Sequence, residues 1–275
     1  MQVVVCIKQV PDTTQVKIDP VTNTLVREGI PFIMNPYDTH ALEEGLLLKD
    51  KFGFRVVALS MGPPNAEITL RKALALGVDE AILLSDRAFG GADTLATSNV
   101  LSSAIRNLAA REEVGMVICG KQTIDGDTAQ VGPGIATRLG YTQLTLVDKI
   151  VDLDPTARSI TVRRRLEGRY EIVAAPLPVT ITVVREINRP RYPTVPMRLA
   201  SLSAEVKVWD NKVIGLDIGT IGLKGSPTWV RRIFSPERAP GEILGDGMGD
   251  PEGGAALLLE RLRAGDLLVD GQEGT

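Results

Sequence analysis

The chain alternates short apolar runs with amphipathic stretches. Residues 2–7 are apolar and β-branched without alternation, as expected of a strand buried on both faces. Asn35-Pro36 then opens a helix, with Asn as cap and proline at the first helical position. Ala41, Leu42, Gly45, Leu46 and Leu48 fall on its inner side, and Gly53 closes it near Lys51. The rhythm continues with a strand at 55–61, a helix at 66–76 ended by Gly77, a strand at 80–85, a helix capped by Asp93 and running through Ala110, and a buried strand at 115–120. Strands alternating with helices of this length predict βαβ units, a parallel sheet and helices on both faces. Between the first strand and the first helix, residues 8–29 read as a loop and hairpin, with turn chemistry at 19–23. After Gly140 the pattern turns β-rich: strands are expected at 143–152, 159–166, 170–175 and 179–184, extending or flanking the sheet.

From Arg185 onward prolines accumulate at Pro190, Pro193 and Pro196, followed by a Gly/Pro-rich stretch over 235–254. A last amphipathic helix is expected at about 255–264, with Leu257, Leu258 and Leu262 on its apolar side. Two regions follow: an α/β domain over 1–184, and over 185–275 an arm whose small core suits packing on another subunit.

Composition narrows the function. With 275 residues, 44% of them hydrophobic, the chain can bury a full core, and 24% charged residues argue against wholesale disorder. The net charge of −3 disfavours nucleic acid as a partner, and the run Arg163-Arg164-Arg165 reads as a solvated strand face. Cys6 and Cys119 sit in apolar runs and read as reduced core thiols. No run suits membrane insertion and the N-terminus lacks a signal pattern, so a cytoplasmic location is expected. His40, the sole histidine, reads as a surface residue, and no histidine or cysteine cluster supports a metal.

Ligands in parallel sheets bind beyond the carboxyl ends of the strands. Three segments stand there: Lys8-Gln9-Val10-Pro11-Asp12, Met61-Gly62-Pro63-Pro64, and the loop from Gly120 through Lys121, Gln122, Thr123, Ile124, Asp125, Gly126 and Asp127 to Thr128. A helix is expected to begin near Thr128, where unpaired amides and the helix dipole suit a phosphate. The Thr128 hydroxyl and the N–H groups of Ala129, Gln130 and Val131 are the candidate donors, Gly126 permits close approach, and Pro133 limits where the helix starts. Acidic side chains repel phosphate, so Asp125 and Asp127 are expected to bond loop amides or cap the helix, Asp127 being the better cap. On spacing alone, a turn followed by a capped helix explains the segment as well as a phosphate site does. The Walker and Gly-x-Gly-x-x-Gly patterns are both missing.

Taken together these motifs resemble the β (small) subunit of electron transfer flavoproteins. The resemblance runs from Gln2 to about Ala200. It rests on Val5-Cys6-Ile7-Lys8-Gln9-Val10-Pro11-Asp12, Met34-Asn35-Pro36-Tyr37-Asp38 with Ala41-Leu42-Glu43, Ser60-Met61-Gly62-Pro63, Gly120–Asp127, and Leu177-Pro178 followed by Asn188-Arg189-Pro190-Arg191-Tyr192-Pro193. It implies a Rossmann-like, adenine nucleotide α-hydrolase-like domain. It also implies a heterodimer with an FAD-carrying α subunit and an adenine nucleotide held by Cys6 (through its backbone), Asn35, Pro36, Tyr37, Asp38, Met61 and residues 120–131. In single-flavin members that nucleotide is a structural AMP; in electron-bifurcating members it is a second FAD that accepts electrons from NADH. The form Asp125-Gly126-Asp127-Thr128-Ala129-Gln130-Val131-Gly132-Pro133 is similar to the bifurcating group, which implies FAD, NAD(H) as substrate and ferredoxin or flavodoxin as a partner. Residues 191–197 resemble the family's recognition loop for a flavin-dependent dehydrogenase, with Val195 as anchor between Tyr192 and Met197. Stiff prolines there lower the entropy lost on docking. The chain departs from single-flavin relatives at Arg165, where an acidic residue is common, and at Val195, where the best-known members have leucine.

Two other classes compete. A nucleotide-hydrolysing or adenylate-forming enzyme would need a Ser/Gly-rich pyrophosphate loop after the first strand, where this chain has Lys8-Gln9-Val10-Pro11-Asp12. A nucleotide-sensing module would be stable, flavin-free and without an α partner.

Overall fold

The computed structural model describes residues 1–12, 31–231, 241, 243–245, 247–265 and 267. The proposed turn at 19–23 lies outside them, as does much of the Gly/Pro-rich stretch. The chain forms two compact units, Met1–Arg232 and Ile233–Thr275.

The first unit is built on a nine-stranded sheet. In chain order its elements are β1 (Gln2–Cys6), β2 (Gln9–Pro11), β3 (Phe32–Met34), α1 (Pro36–Phe52), β4 (Arg55–Met61), α2 (Glu67–Leu76), β5 (Glu80–Leu84), α3 (Thr94–Ala109), β6 (Val114–Gly120) and α4 (Val131–Leu139). There follow β7 (Thr142–Asp154), β8 (Ser159–Leu166), β9 (Arg169–Pro176), β10 (Val179–Val183), α5 (Val195–Ser203), β11 (Lys207–Trp209) and the short α6 (Asn211–Ile214). The sheet order is β11-β5-β4-β1-β6-β10-β7-β8-β9, while β2 and β3 pair separately as an antiparallel ribbon. From β11 to β7 every pairing is parallel; β8 and β9 continue antiparallel. This is the expected α/β fold, with the β-rich segment extending one edge of the sheet.

β1 is apolar throughout because it is covered twice. Val3 and Val5 join the core under α1 and α2, whereas Val4 and Cys6 join the core under α3. Helix α1 lies directly on β1, because a Cβ on Gly45 would come 2.8 Å from Val5 Cγ2. That close approach brings the first turn of α1 over the ends of β1 and β6. Helices α1 and α2 end at left-handed Gly53 and Gly77, as the sequence predicts.

Four features depart from the sequence reading. The arginine run is not one solvated face, since neighbours on a strand point to opposite sides. Arg163 grips buried Asp148 in a bidentate pair at 2.9 Å, Arg164 donates to the Thr145 carbonyl and to Glu171, and Arg165 pairs with Glu186. The recognition loop expected at 191–197 does not stay irregular: from Val195 it becomes helix α5, with Thr194 capping Met197 N and Pro196 in the first turn. Strand β11, which no pattern announced, closes one sheet edge and buries Trp209. In the second unit, α7 (Pro251–Ala264) begins earlier than the apolar pattern indicates, with Asp250 capping Gly253 N.

Candidate functional site

The order β5-β4-β1-β6 reverses direction at β1: the chain winds outward through β4 and β5, then returns to β6 on the other side. At the carboxyl ends of these strands lies a cavity of about 980 Å³. All three segments singled out above meet there: Lys8, residues 61–64, and the loop after β6. Cys6, Asp38, Met61, Gly120, Lys121, Gln122, Thr123, Gly126, Thr128, Ala129, Gln130 and Val131 line it. Asn35, Pro36, Tyr37, Ile124, Asp125 and Asp127 do not, and several of them build the wall from behind.

The loop differs from the sequence expectation in a way that matters chemically. Its helix starts at Val131, not near Thr128, and Asp127 is not its cap. Asp127 and Ala129 instead take left-handed φ of 53° and 55°. Such values are uncommon for residues with a Cβ and are kept only where surroundings impose them. The surroundings are visible. Asp127 Oδ1 accepts from Gln122 Nε2 at 2.7 Å, and both carboxylate oxygens of Asp125 accept from Lys8 Nζ at 2.7–2.8 Å. Both acids are thereby engaged by Lys8 and Gln122, which line the cavity, while their own side chains stay out of the lining. Ala129 in left-handed backbone is followed by Gln130 at φ −97°, ψ −22°. Alternation of hand turns successive N–H groups to one side and makes an anion-binding concavity. The N–H groups of Val131 and Gly132 add to it, lacking partners within their own helix, while Pro133 in the first turn has none to lose.

Asn35 precedes α1 but does not cap it with its side chain. Fully buried, it clamps the loop: Nδ2 donates to the Gln122 carbonyl at 2.9 Å and Oδ1 accepts from Ile124 N at 3.2 Å. Asp38, one turn on, accepts from Lys8 N at 2.7 Å. A Cβ on Gly120 would stand 2.3 Å from Asp38 Oδ1 and 2.7 Å from Tyr37 Cβ, so only glycine lets the β6 end pass under α1. Burial pushes the Asp38 carboxyl up to about 7, against hydrogen bonds from Asn35, Lys8 and Gly120 that favour the charged form.

Cys6 and Cys119 face each other in register across β1 and β6 on the cavity floor, both free and buried. The contact with Cys6, then burial, raises the Cys119 thiol, so it stays protonated and unreactive. His40 lies outside the cavity lining and contacts Asn188 through Nδ1 at 3.1 Å. Among the described residues no acidic, histidine and cysteine side chains group to hold a metal, and no helix is long and apolar enough to cross a membrane.

One wall was missed in the sequence. Between β5 and α3, residues 85–94 apart from Ala88, together with Thr97, complete the cavity. Gly90-Gly91, standing between a strand end and the Asp93 cap, was the available signal. The wall is backed from far along the chain: Ser226 Oγ accepts from Asp93 N, and Thr228 donates to Asp93 Oδ2. Of the three residues expected to dock, Tyr192 and Val195 are 93% and 72% exposed and Met197 is only half as exposed as Val195, at 37%.

Residues 22–214 match the electron transfer flavoprotein domain. The chain is 49% identical over 265 residues to protein FixA of Azotobacter vinelandii, covering 95% of this chain and 94% of the relative. It is 49% identical over 246 residues to the electron transfer flavoprotein subunit beta of Clostridium acetobutylicum, covering 89% and 92%. It is 47% identical over 246 residues to subunit CarD of the caffeyl-CoA reductase-Etf complex of Acetobacterium woodii, again covering 89% and 92%. Matched across most of its length by a family model and nearly end to end by such relatives, the chain belongs to the electron transfer flavoprotein family, among its β subunits and FixA proteins.

Proposed function

We propose that this subunit binds FAD in the cavity between β1, β4, β5 and β6, and pairs with an FAD-carrying α subunit to move electrons between NADH, the α-subunit flavin and partner redox proteins. The observation that carries the FAD reading is size joined to chemistry. A volume of about 980 Å³ stands at the top of the roughly 300–1,000 Å³ range of small-molecule and cofactor pockets. At one side the N–H groups of Ala129, Gln130, Val131 and Gly132 offer donors to phosphate oxygens. The Thr128 hydroxyl and Lys121 ammonium line the same cavity without a partner among the described residues. Cys6, Ile7 and Met61 give an apolar wall for a base.

The flavin supplies the redox chemistry when bound; the chain supplies binding, orientation and exclusion of water. Asp38 and Asn35 do not need to touch the nucleotide to matter, since they fix the loop that does. The form of residues 125–133 supports placing the subunit in the electron-bifurcating group, with ferredoxin or flavodoxin as an acceptor. Tyr192, Val195 and Met197 belong in this reading to a surface that docks on a flavin-dependent dehydrogenase, and the unit 233–275 packs on the α subunit.

Purifying the heterodimer and measuring released flavin and adenylate tests the proposal. Two FAD per heterodimer are expected, with the β-site flavin reduced by NADH. One FAD and one AMP would replace it with the single-flavin reading.

A further inference from the structure

Helix α5 is held without being buried. It spans nine residues, and Ser201 is its one buried residue. A helix of that length is marginal by itself in water. Its apolar side chains are largely bare: Val195 is 72% exposed, Leu199 62% and Leu202 67%, spaced so that they form one stripe. Only Met197 turns inward, its Cε lying 3.2 Å from where a Cβ on Gly77 would be. Hydrophobic burial therefore does not explain its position.

Two arginines do. Ahead of the helix, Arg191 N and Nε donate to Glu43 Oε2 at 3.0 and 2.9 Å, Nη2 reaches Glu43 Oε1 at 3.0 Å, and Nη2 also meets Asp50 at 2.7 Å. Glu43 is 6% exposed at its side chain, and Arg191 is its side-chain ion partner. Asn188 adds bonds to the His40 carbonyl and to Glu44. Behind the helix, Arg71 Nη1 takes the carbonyls of Ser201, Leu202 and Ala204 at 3.0, 3.0 and 3.1 Å. These groups otherwise lack a cap, since Ala204 leaves the helix in extended backbone. Glu67 holds the Arg71 guanidinium in turn, at 2.8 Å from Nε.

We infer that Arg191 and Arg71 are positioning residues that mount α5 on α1 and α2 with its Val195, Leu199 and Leu202 stripe outward. Fixing the stripe in advance removes the ordering cost from docking. The occupant is a partner protein with an apolar groove rimmed by carboxylates. Arg198, next to Leu199 in the same helix, flanks the stripe, and its side chain has no partner among the described residues. This inference rests on the docking reading given above and goes beyond it by naming what holds the surface.

The experiment uses the full-length heterodimer with its flavin. Hydrogen exchange is followed at residues 198–203 in Arg191→Met and Arg71→Met, with Arg191→Lys and Arg71→Lys as conservative variants. The expected result is exchange in α5 at least tenfold faster in both Met variants, with β1 and β6 amides and flavin content unchanged. Arg191→Lys should restore much of the protection, because an ammonium still meets Glu43. Arg71→Lys should not, because the guanidinium meets the carbonyls through Nη1 while Nε and Nη2 stay on Glu67, and a single ammonium cannot hold both sides. The flavin-dependent dehydrogenase isolated by its reduction of the wild-type heterodimer then serves as partner: KM should rise at least fivefold in the Met variants at unchanged kcat. Unchanged exchange overturns the mount. Lost protection with unchanged KM overturns its part in docking. Leu199→Asp on the intact mount separates the two ideas, because an unchanged KM there overturns the docking reading itself.

Discussion

The loop 120–131 and the segment 188–204 both hang on helix α1, but by opposite chemistry. The loop is tied by buried, directional hydrogen bonds: Asn35 at 0% exposure bridges Gln122 and Ile124, and Asp38 at 4% accepts from the Gly120 N–H. The segment is tied by charged side chains that reach solvent, with Arg191 at 33% and Asp50 at 57% exposure. Buried bonds between short side chains and the main chain define one geometry and resist change. Ion pairs on long side chains define an orientation that yields to salt and to a competing partner. A cradle for a tightly held nucleotide calls for the first kind of support, and a surface that engages and releases another protein suits the second.

The sharpest way to break this contrast is Gly120→Ala. The new Cβ would meet Asp38 Oδ1 at 2.3 Å and Tyr37 Cβ at 2.7 Å, both at the well-anchored start of α1. Overpacking with no room to relax costs about 3 kcal/mol. We expect a loss of that size in urea denaturation together with loss of bound nucleotide. A variant that keeps both would show that the cradle is not fixed from behind.

A second test uses pH. Burial lifts Asp38 to about 7, whereas an aspartate in an unfolded chain titrates near 3.9. The folded state therefore holds this proton more tightly than the unfolded state does. The resulting stabilisation is fully present below pH ~4 and is lost as pH rises through about 7, at about 1.4 kcal/mol per unit of difference. Glu44, also raised chiefly by burial, adds a slope of the same sign. The informative quantity is thus the difference between wild type and Asp38→Asn. The urea midpoint should fall from pH ~4 to about 7 in wild type and fall distinctly less in the variant. Parallel curves would mean that Asp38 does not carry the linkage.

How much of this was legible beforehand follows the same division. The parallel core could be read because β1, β4, β5 and β6 are covered on both faces and carry unbroken apolar runs, and because Gly53, Gly77 and Asp93 mark helix ends by local chemistry. The meeting of Lys8, Met61 and Gly120 followed from the rule for strand ends. The late start of α4 could not be read: the left-handed Asp127 is held by Gln122, and the loop before it by Asn35, not by local preferences. Asn35 itself is misleading, since Asn-Pro before a helix has the local form of a cap while its amide serves a loop 87 residues away. Strand β11 is three residues long and shows no period, and α5 is held by Glu43 and Arg71, which lie far from it in the chain. What was missed is what distant partners impose.

The last and smallest effect sharpens the comparison instead of breaking it. Raising ionic strength from 0.1 to 1 M shortens the screening length from about 10 Å to about 3 Å. The Arg191–Asp50 pair, exposed on both sides, should weaken by a fraction of a kcal/mol. Glu43 is shielded, so its own bond to Arg191 should persist and the segment should loosen without leaving α1. Amides around 189–192 are then expected to exchange about two- to threefold faster at high salt, while Ile124 N and Lys8 N, bonded to Asn35 and Asp38, do not change. Replacing Asp50 by Asn should reproduce the high-salt rate at low salt and remove the salt response. An equal response at both regions would mean that the loop also depends on screened charge, and the Lys8–Asp125 pair at its mouth would be the place to look.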